Sequence, residues 1–195
     1  MARPVAEAVV NAMSVDVEDY FHVSAFENHI GRHEWDRLDC RLGWTIDRTL
    51  DLFGRRDVRA TFFTLGWVAR RFPEHMRRIA EAGHEIASHG FAHHRVTDLE
   101  PEDFRQDLRD TRAILEDVTG QRVRGYRAPS YSIGTSNPWA HTVLEEEGYA
   151  YSSSVYPIRH DHYGVPDAPR HPYYPGGGRL VEIPVTTVEI GRAHV

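Results

Sequence analysis

A single cysteine, Cys40, leaves the chain without an intramolecular disulfide, so nothing in the sequence calls for an oxidising compartment. No apolar run approaches the ~20 residues needed to span a bilayer. The first ten residues, Met1 to Val10, carry one basic residue, and their apolar stretch is broken by Glu7, which makes a poor signal peptide. These absences predict a soluble, cytoplasmic protein with no membrane segment. Positive charge is also in short supply. The 23 Lys and Arg against 29 Asp and Glu give a formal net charge of -6, and no basic run is long enough for a phosphate-binding arm. A nucleic-acid partner is excluded on that ground, and anionic polymers would be repelled rather than steered. Internal repeats, heptads and low-complexity tracts are lacking as well, which excludes repeat architectures and coiled coils.

What is present is an ordinary globular composition. With 195 residues, 41% of them hydrophobic, 4 Trp, 9 Tyr and 8 Phe, there is material for one sizeable core and a single domain spanning 1–195. Short apolar runs alternate with helical patterns, the signature of repeated βα units and a largely parallel sheet. The strand candidates are Val9 to Val17, Arg59 to Leu65, His84 to Ser88, Val123 to Tyr126, Tyr149 to Val155 and Arg179 to Val185. Ile46, Leu50 and Phe53 recur at helical spacing, and Phe104, Leu108, Thr111, Leu115 and Val118 do so more clearly, with Pro101 near the start and Gly120 past the end of that helix. Further helices are predicted from Glu74 to Ala82, stopping at Gly83, and from about Pro138 to Glu147, stopping at Gly148. The segment from Pro157 to Gly178 is rich in proline, glycine and histidine and has little periodicity. It is expected to be a long surface loop, and loops beyond about 12–15 residues are often functional.

Three motifs follow predicted strands directly. Ser88-His89-Gly90-Phe91-Ala92-His93-His94 places two imidazoles four residues apart, with Gly90 allowing a tight backbone turn. Ser14-Val15-Asp16-Val17-Glu18-Asp19-Tyr20-Phe21 packs three acids at the end of an apolar run, and Arg127-Ala128-Pro129-Ser130-Tyr131 is the third motif. If the strands run around a closed sheet, all three fall on its catalytic face. Two His and one carboxylate are a recurring way to hold catalytic zinc with a position left open for water. A metal-dependent hydrolase follows, with His89 and His93 as ligands, one acid as the third and another free as general base. An iron(II) oxygenase uses similar ligands, but on all-β folds, which the βα alternation here contradicts.

Alternation along an extended strand sends Asp16 and Glu18 to the same side, whereas Asp19 lies where the strand should already be turning. Asp16, the deepest, is assigned as base, with Glu18 or Asp19 on the metal. Arg127 is placed to pair with Asp16 and hold it ionised and oriented. Pro129 would stiffen its loop so that the N–H of Ser130 or Tyr131 points at a developing oxyanion. Trp139 and Tyr149 are expected in the core rather than as a sugar platform.

Taken together, these motifs resemble the polysaccharide deacetylases of carbohydrate esterase family 4, the NodB-homology domain. Asp16-Val17-Glu18-Asp19 resembles the family's first motif, in which one acid is the base and a second binds metal. Ser88 to His93 matches the second, which carries both zinc-binding histidines, and Arg127 to Tyr131 matches the third, a wall of the groove. Ala60-Thr61-Phe62-Phe63 and Glu81 to Ala87 are similar to the segments between the first two motifs, and the match runs from about Met13 to Tyr156. Asp16 to Val23 with Tyr126 to Ile133 resembles the branch associated with exosortase and exopolysaccharide gene clusters.

The resemblance implies an α/β fold, a distorted and incomplete (β/α) barrel. It implies zinc, with cobalt or nickel as alternatives, and removal of acetyl groups from an N-acetylated sugar polymer or oligosaccharide of exopolysaccharide or peptidoglycan-like type. The alternatives are an allantoinase-like cyclic amide hydrolase and a barrel that binds carbohydrate without turnover. The sequence departs from the family pattern at three places. Asp-x-Glu-Asp replaces the usual Asp-Asp pair, and Ser152 stands where relatives often carry an Asp. The family's late His, its general acid, would fall beyond about Val185, and His194 is too near the terminus for that role. A domain cut short at its C-terminal end is therefore expected.

Overall fold

Six short strands, each ending where a loop of chemical interest begins, form one parallel sheet in the order of the chain. They are β1 (Met13–Val17), β2 (Ala60–Thr64), β3 (Glu85–Ser88), β4 (Gly125–Tyr126), β5 (Tyr151–Ser152) and β6 (Val181–Glu182). The computed structural model describes residues 11–190, 193 and 194. Met1 to Val10, including Val9 and Val10 of the first expected strand, lie outside the described residues. The helices are α1 (Leu42–Arg55), α2 (Gly66–Arg71), α3 (Pro73–Glu81), α4 (Pro101–Thr119) and α5 (Trp139–Glu146). A separate antiparallel pair, β7 (Glu189–Ile190) and β8 (Ala193–His194), closes the described chain.

The register lines up the carboxyl ends of the strands. Val17 pairs with Thr64, Thr64 with Ser88, Ser88 with Tyr126, Tyr126 with Ser152, and Ser152 with Glu182. The residues just beyond those ends, among them Glu18, His89, Arg127 and Ser153, therefore share one edge, where α/β sheets place ligands. Among the described residues no ladder joins β6 back to β1. The sheet is an open arc, as an incomplete barrel requires, and not a closed ring.

The core sits between this sheet and the helices. Phe62, Leu65, Ile86 and Tyr126 meet Ile46 and Phe53 of α1, Met76 and Ile79 of α3, and Phe104, Leu108 and Leu115 of α4. Helix α4 has Pro101 in its first turn, where a missing N–H costs nothing, and ends at Gly120 with φ 68°, whose N–H donates to the Glu116 carbonyl. Trp139 and Tyr149 pack with the core, as expected.

Several elements differ from the sequence expectation, and β4 and β6 are shorter than the runs Val123 to Tyr126 and Arg179 to Val185. Helix α2 has only six residues, too few to show a period. Strand β5 is shorter than Tyr149 to Val155, because the Ser154 and Val155 N–H groups leave the ladder for the fully buried Glu182 carboxylate, at 2.8 and 2.9 Å. The other Glu182 oxygen meets His141 Nε2 of α5 at 3.1 Å. This buried pair fastens the last strand to the rest of the domain. Between β5 and β6 the chain makes the long loop that the sequence implied, with one short 3-10 turn at Pro175–Gly177.

Candidate metal and acid-base site

The three acids at the end of β1 go to three different partners. Asp16, still within the strand, takes the Arg127 Nη1 at 2.7 Å. Glu18 turns to the histidines, with Oε2 3.0 Å from His93 Nε2 and 3.9 Å from His89 Nε2. Asp19 faces away from both. Its carboxylate accepts the N–H of Tyr20 at 2.8 Å and that of Arg41, whose guanidinium lies 3.3 Å away. Burial alone would raise the Asp19 pKa, but the Arg41 and Tyr20 donors outweigh it and hold the carboxyl below its ordinary value. Of the two acids left open as metal ligand, the geometry brings Glu18 to the histidines and commits Asp19 to the start of α1.

His89 has its tautomer fixed. Nδ1 lies 2.8 Å from the Arg127 carbonyl, which can only accept, so Nδ1 carries the proton and the Nε2 lone pair faces Glu18. Burial of His89 pushes its pKa down, favouring the neutral, ligand-competent imidazole. The loop from Gly90 to His93 is held from three sides. The α2 N–H groups of Gly66 and Trp67 donate to the Gly90 and Phe91 carbonyls, both at 2.9 Å. The Phe91 N–H donates to both oxygens of Asp107 on α4, at 3.0 and 3.2 Å. Arg32 donates to the carbonyls of Ala92 at 2.8 Å and His93 at 3.3 Å. Gly90 has φ 73°, and a Cβ there would lie 3.1 Å from Asp107 Oδ2. Four non-glycine residues among those described have positive φ, and three of them, His93, Ser130 and Tyr131, border this site. Such conformations cost about 1–3 kcal/mol each and persist only where surroundings over-determine them.

Donor atoms of Glu18, His89 and His93 all lie within 4.8 Å of one another, and this is the group among the described residues able to hold a metal ion. Glu18 Oε2 is buried yet has no hydrogen-bond partner, although His93 Nε2 is only 3.0 Å away. Glu18 Oε2 lies 3.0 Å from His93 Nε2 and 3.9 Å from His89 Nε2. Ligand bonds of about 2.0–2.2 Å around a tetrahedral ion require roughly that spacing. The donor set, two imidazoles and one carboxylate, fits zinc, cobalt or nickel.

Arg127 is held by hydrogen bonds from all three of its nitrogens. Besides Asp16, its Nε donates to the Ser153 carbonyl at 3.0 Å, and Nη2 donates to the hydroxyls of Ser14 at 3.0 Å and Ser153 at 2.9 Å. Its guanidinium lies 4.1 Å from the centre of the Phe63 ring. The serines after β5 thus orient the arginine that orients Asp16. Pro129 is buried and opens a 3-10 turn in which the Tyr131 N–H donates to the Ala128 carbonyl at 3.0 Å. That commitment removes the Tyr131 N–H as an oxyanion donor and leaves Ser130 of the two candidates.

Sequence reasoning missed Asp107, His22 and the serine shell. Asp107 had a readable signal, an acid between Phe104 and Thr111 on the buried stripe of α4, and burial lifts its pKa to about 6. His22 accepts the Asp19 N–H through Nδ1 at 2.7 Å, and burial pushes its pKa down to about 4. Only the Tyr-Phe-His run after the acid cluster marked its position.

Comparison with known proteins adds an independent line. The family model described as polysaccharide deacetylase matches residues 39–152, and one described as a domain of unknown function, DUF3473, matches residues 153–195. A peptidoglycan deacetylase of Helicobacter pylori is 29% identical over 110 residues, covering 56% of this chain and 36% of its own length. A chitooligosaccharide deacetylase of Bradyrhizobium sp. is 31% identical over 143 residues, covering 73% of this chain and 59% of its own. A solved structure from Mycobacterium smegmatis, assigned as a polysaccharide deacetylase, superposes with a TM-score of 0.70 at 31% identity, covering 90% of this chain and 58% of that one. The chain spans about a third of the length of the first curated relatives it matches.

Proposed function

The chain belongs to the polysaccharide deacetylase family, and from that premise we propose that it is a metal-dependent hydrolase removing N-acetyl groups from an N-acetylated sugar polymer of exopolysaccharide or peptidoglycan-like type. One observation carries the reading: donor atoms of Glu18, His89 and His93 lie within 4.8 Å of one another beside a carboxylate that Arg127 holds in place. The names of the Helicobacter and Bradyrhizobium relatives support amide-linked acetyl on an amino sugar as the substrate class. Glu18, His89 and His93 would hold zinc, with cobalt or nickel able to occupy the same donors. When bound, the ion supplies polarisation of the acetyl carbonyl and lowers the pKa of a bound water to about 7.

Asp16 is the base that takes the proton from the attacking water, and Arg127 keeps its carboxylate aimed at that water. The left-handed turn at Ser130 presents a backbone N–H to the oxygen that gains charge as the carbonyl is attacked. When the C–N bond breaks, acetate leaves and the proton collected by Asp16 is available to the amine. The tautomer of His89 and the pinned Gly90–His93 loop keep both imidazoles facing Glu18 throughout.

The test is elemental analysis of the protein after mild chelation and zinc reloading, alongside His89→Ala and His93→Ala, with acetate release from N-acetylglucosamine oligomers measured on the same samples. Near-stoichiometric zinc in the parent, lost in both variants together with acetate release, is expected. An intact chain with no tight metal would sink the mechanism.

A further inference from the structure

The loop between β5 and β6 brings aromatic rings to the acid-base site. Tyr131, whose ring lies 5.8 Å from the Arg127 guanidinium, meets Tyr156 edge-on at 5.2 Å and Tyr163 at 5.8 Å between ring centres. Tyr156 and Tyr163 are nearly parallel, at 10°, and exposed His160 stacks on Tyr163 at 3.9 Å and 11°. The three tyrosines are half-buried, so each keeps part of its side chain exposed, and His160 covers one face of Tyr163. Tyr131 also senses the charge of Asp16, which contributes to raising its phenol pKa after burial itself. The rings therefore continue outward from the base through Arg127.

The backbone builds this arrangement deliberately. The N–H groups of Ile158 and Val165 both donate to the Tyr156 carbonyl at 2.8 Å, folding the loop back on itself. Gly164 makes the return, with φ 105°, and a Cβ there would lie 2.3 Å from the Ile158 carbonyl oxygen. Only glycine fits at that position. The cost of such a turn is accepted in a loop that contributes little to the core, and its result is that Tyr163 is set against Tyr131 and Tyr156.

We propose that Tyr131, Tyr156, Tyr163 and His160 form a wall that binds a pyranose ring of the acetylated chain, which makes the segment matched as a domain of unknown function a substrate-recognition element. This rests on the deacetylase reading above for the identity of the sugar. A pyranose presents a face of weakly positive C–H groups to the negative face of an aromatic ring, and tyrosine supplies that face with little side-chain entropy to lose. The wall's proximity to Asp16 selects a sugar as occupant over a peptide, because the acetyl group must reach the base from the same chain.

The experiment is calorimetric titration of the zinc-loaded protein with the N-acetylglucosamine tetramer, in an Asp16→Asn background so that ligand is not consumed. Tyr163→Ala, Tyr163→Phe and Gly164→Ala are compared, with zinc content and melting temperature recorded for each. Tyr163→Ala should weaken binding about three- to tenfold, Tyr163→Phe should bind like the parent because the ring is kept, and Gly164→Ala should follow Tyr163→Ala. In the active protein Tyr163→Ala and Gly164→Ala should raise KM with little change in kcat, and Tyr163→Phe should leave both near the parent's values. No binding in the parent, or Tyr163→Ala and Gly164→Ala binding as the parent does while folded, would overturn the wall. Binding without acetate release from the active protein would instead overturn the deacetylase reading and leave the wall standing.

Discussion

Two loops border the candidate site, and they are built on opposite principles. The loop from Gly90 to His93 is tied to α2, α4 and Arg32 by hydrogen bonds with each, and it carries a non-glycine residue, His93, in the left-handed region. The loop from Pro157 to Gly178 is held by a few backbone turns of its own, by ring stacking, by the bridge between Tyr173 and Glu182, and by Arg170, which donates to the Thr187 carbonyl. Over-determination suits groups that must converge on one ion, since ligand positions tolerate errors of only a few tenths of an ångström. Looser construction suits a surface that meets sugar rings through their faces. On the proposed reading, position is enforced where bonds would be made and broken, and approximate complementarity suffices where substrate would be held.

The sharpest way to break that contrast is Asp16→Asn. The side chain keeps its shape and can still meet Arg127, but it no longer accepts a proton, so acetate release should fall by about 10²–10⁴-fold with zinc content unchanged. Loss of zinc instead would mean that Asp16 is a ligand. A smaller effect is expected for Arg127→Lys, because an ammonium cannot reproduce the contacts to Asp16, Ser14 and Ser153 at once. Removing such orienting partners costs about 10–100-fold in activity. Steady-state acetate release, with kcat and KM separated, checks both.

A paired glycine substitution compares the loops directly. Gly90 and Gly177 have nearly the same positive φ, 73° and 74°, but a Cβ at Gly90 meets Asp107 whereas at Gly177 nothing lies within 4 Å. Both alanine variants should lose about 1–2 kcal/mol of stability from the left-handed backbone. Only Gly90→Ala should weaken zinc retention, measured by competition with a chelator. Equal zinc retention in the two would show that the pinned loop is not what positions the histidines.

Much of this was legible in the sequence, and what was not has physical reasons. The run Arg59 to Leu65 announced β2 because that strand is buried along its length, and α4 announced itself because its apolar residues repeat over 19 positions between a proline and a glycine. The alternation Asp16, Glu18 likewise survived into the structure, one carboxylate to Arg127 and the other to the histidines. The choice between Glu18 and Asp19 was not legible, because Arg41, 22 residues further on, makes it. The serines behind Arg127 gave no signal either, since a serine that accepts from a buried guanidinium looks like any other serine. The loop after β5 showed itself as a loop, but the stacking of Tyr163 on His160 and its approach to Tyr131 depend on a turn that periodicity cannot express.

An effect on stability alone concerns the acid that anchors the histidine loop. Burial raises the Asp107 pKa from 3.8 to about 6, against the Phe91 N–H that lowers it. In the folded protein this group binds a proton more tightly than in the unfolded chain, so between about pH 4 and pH 6 the native state holds more protons. Stability from this source is present below the unfolded value and is lost as pH rises through the folded one. Asp107→Asn keeps an oxygen for the Phe91 N–H and removes the titration. The stability of the parent relative to Asp107→Asn should therefore decline by about 1–3 kcal/mol on going from pH 4 to pH 7, read as the difference between their denaturant midpoints, in which all shared titrations cancel. A difference that stays flat would show that Asp107 is ionised throughout and that its bonds to Phe91 outweigh its burial. The histidine loop would then be anchored by a charge-assisted bond and tied more strongly than its counterpart across the site.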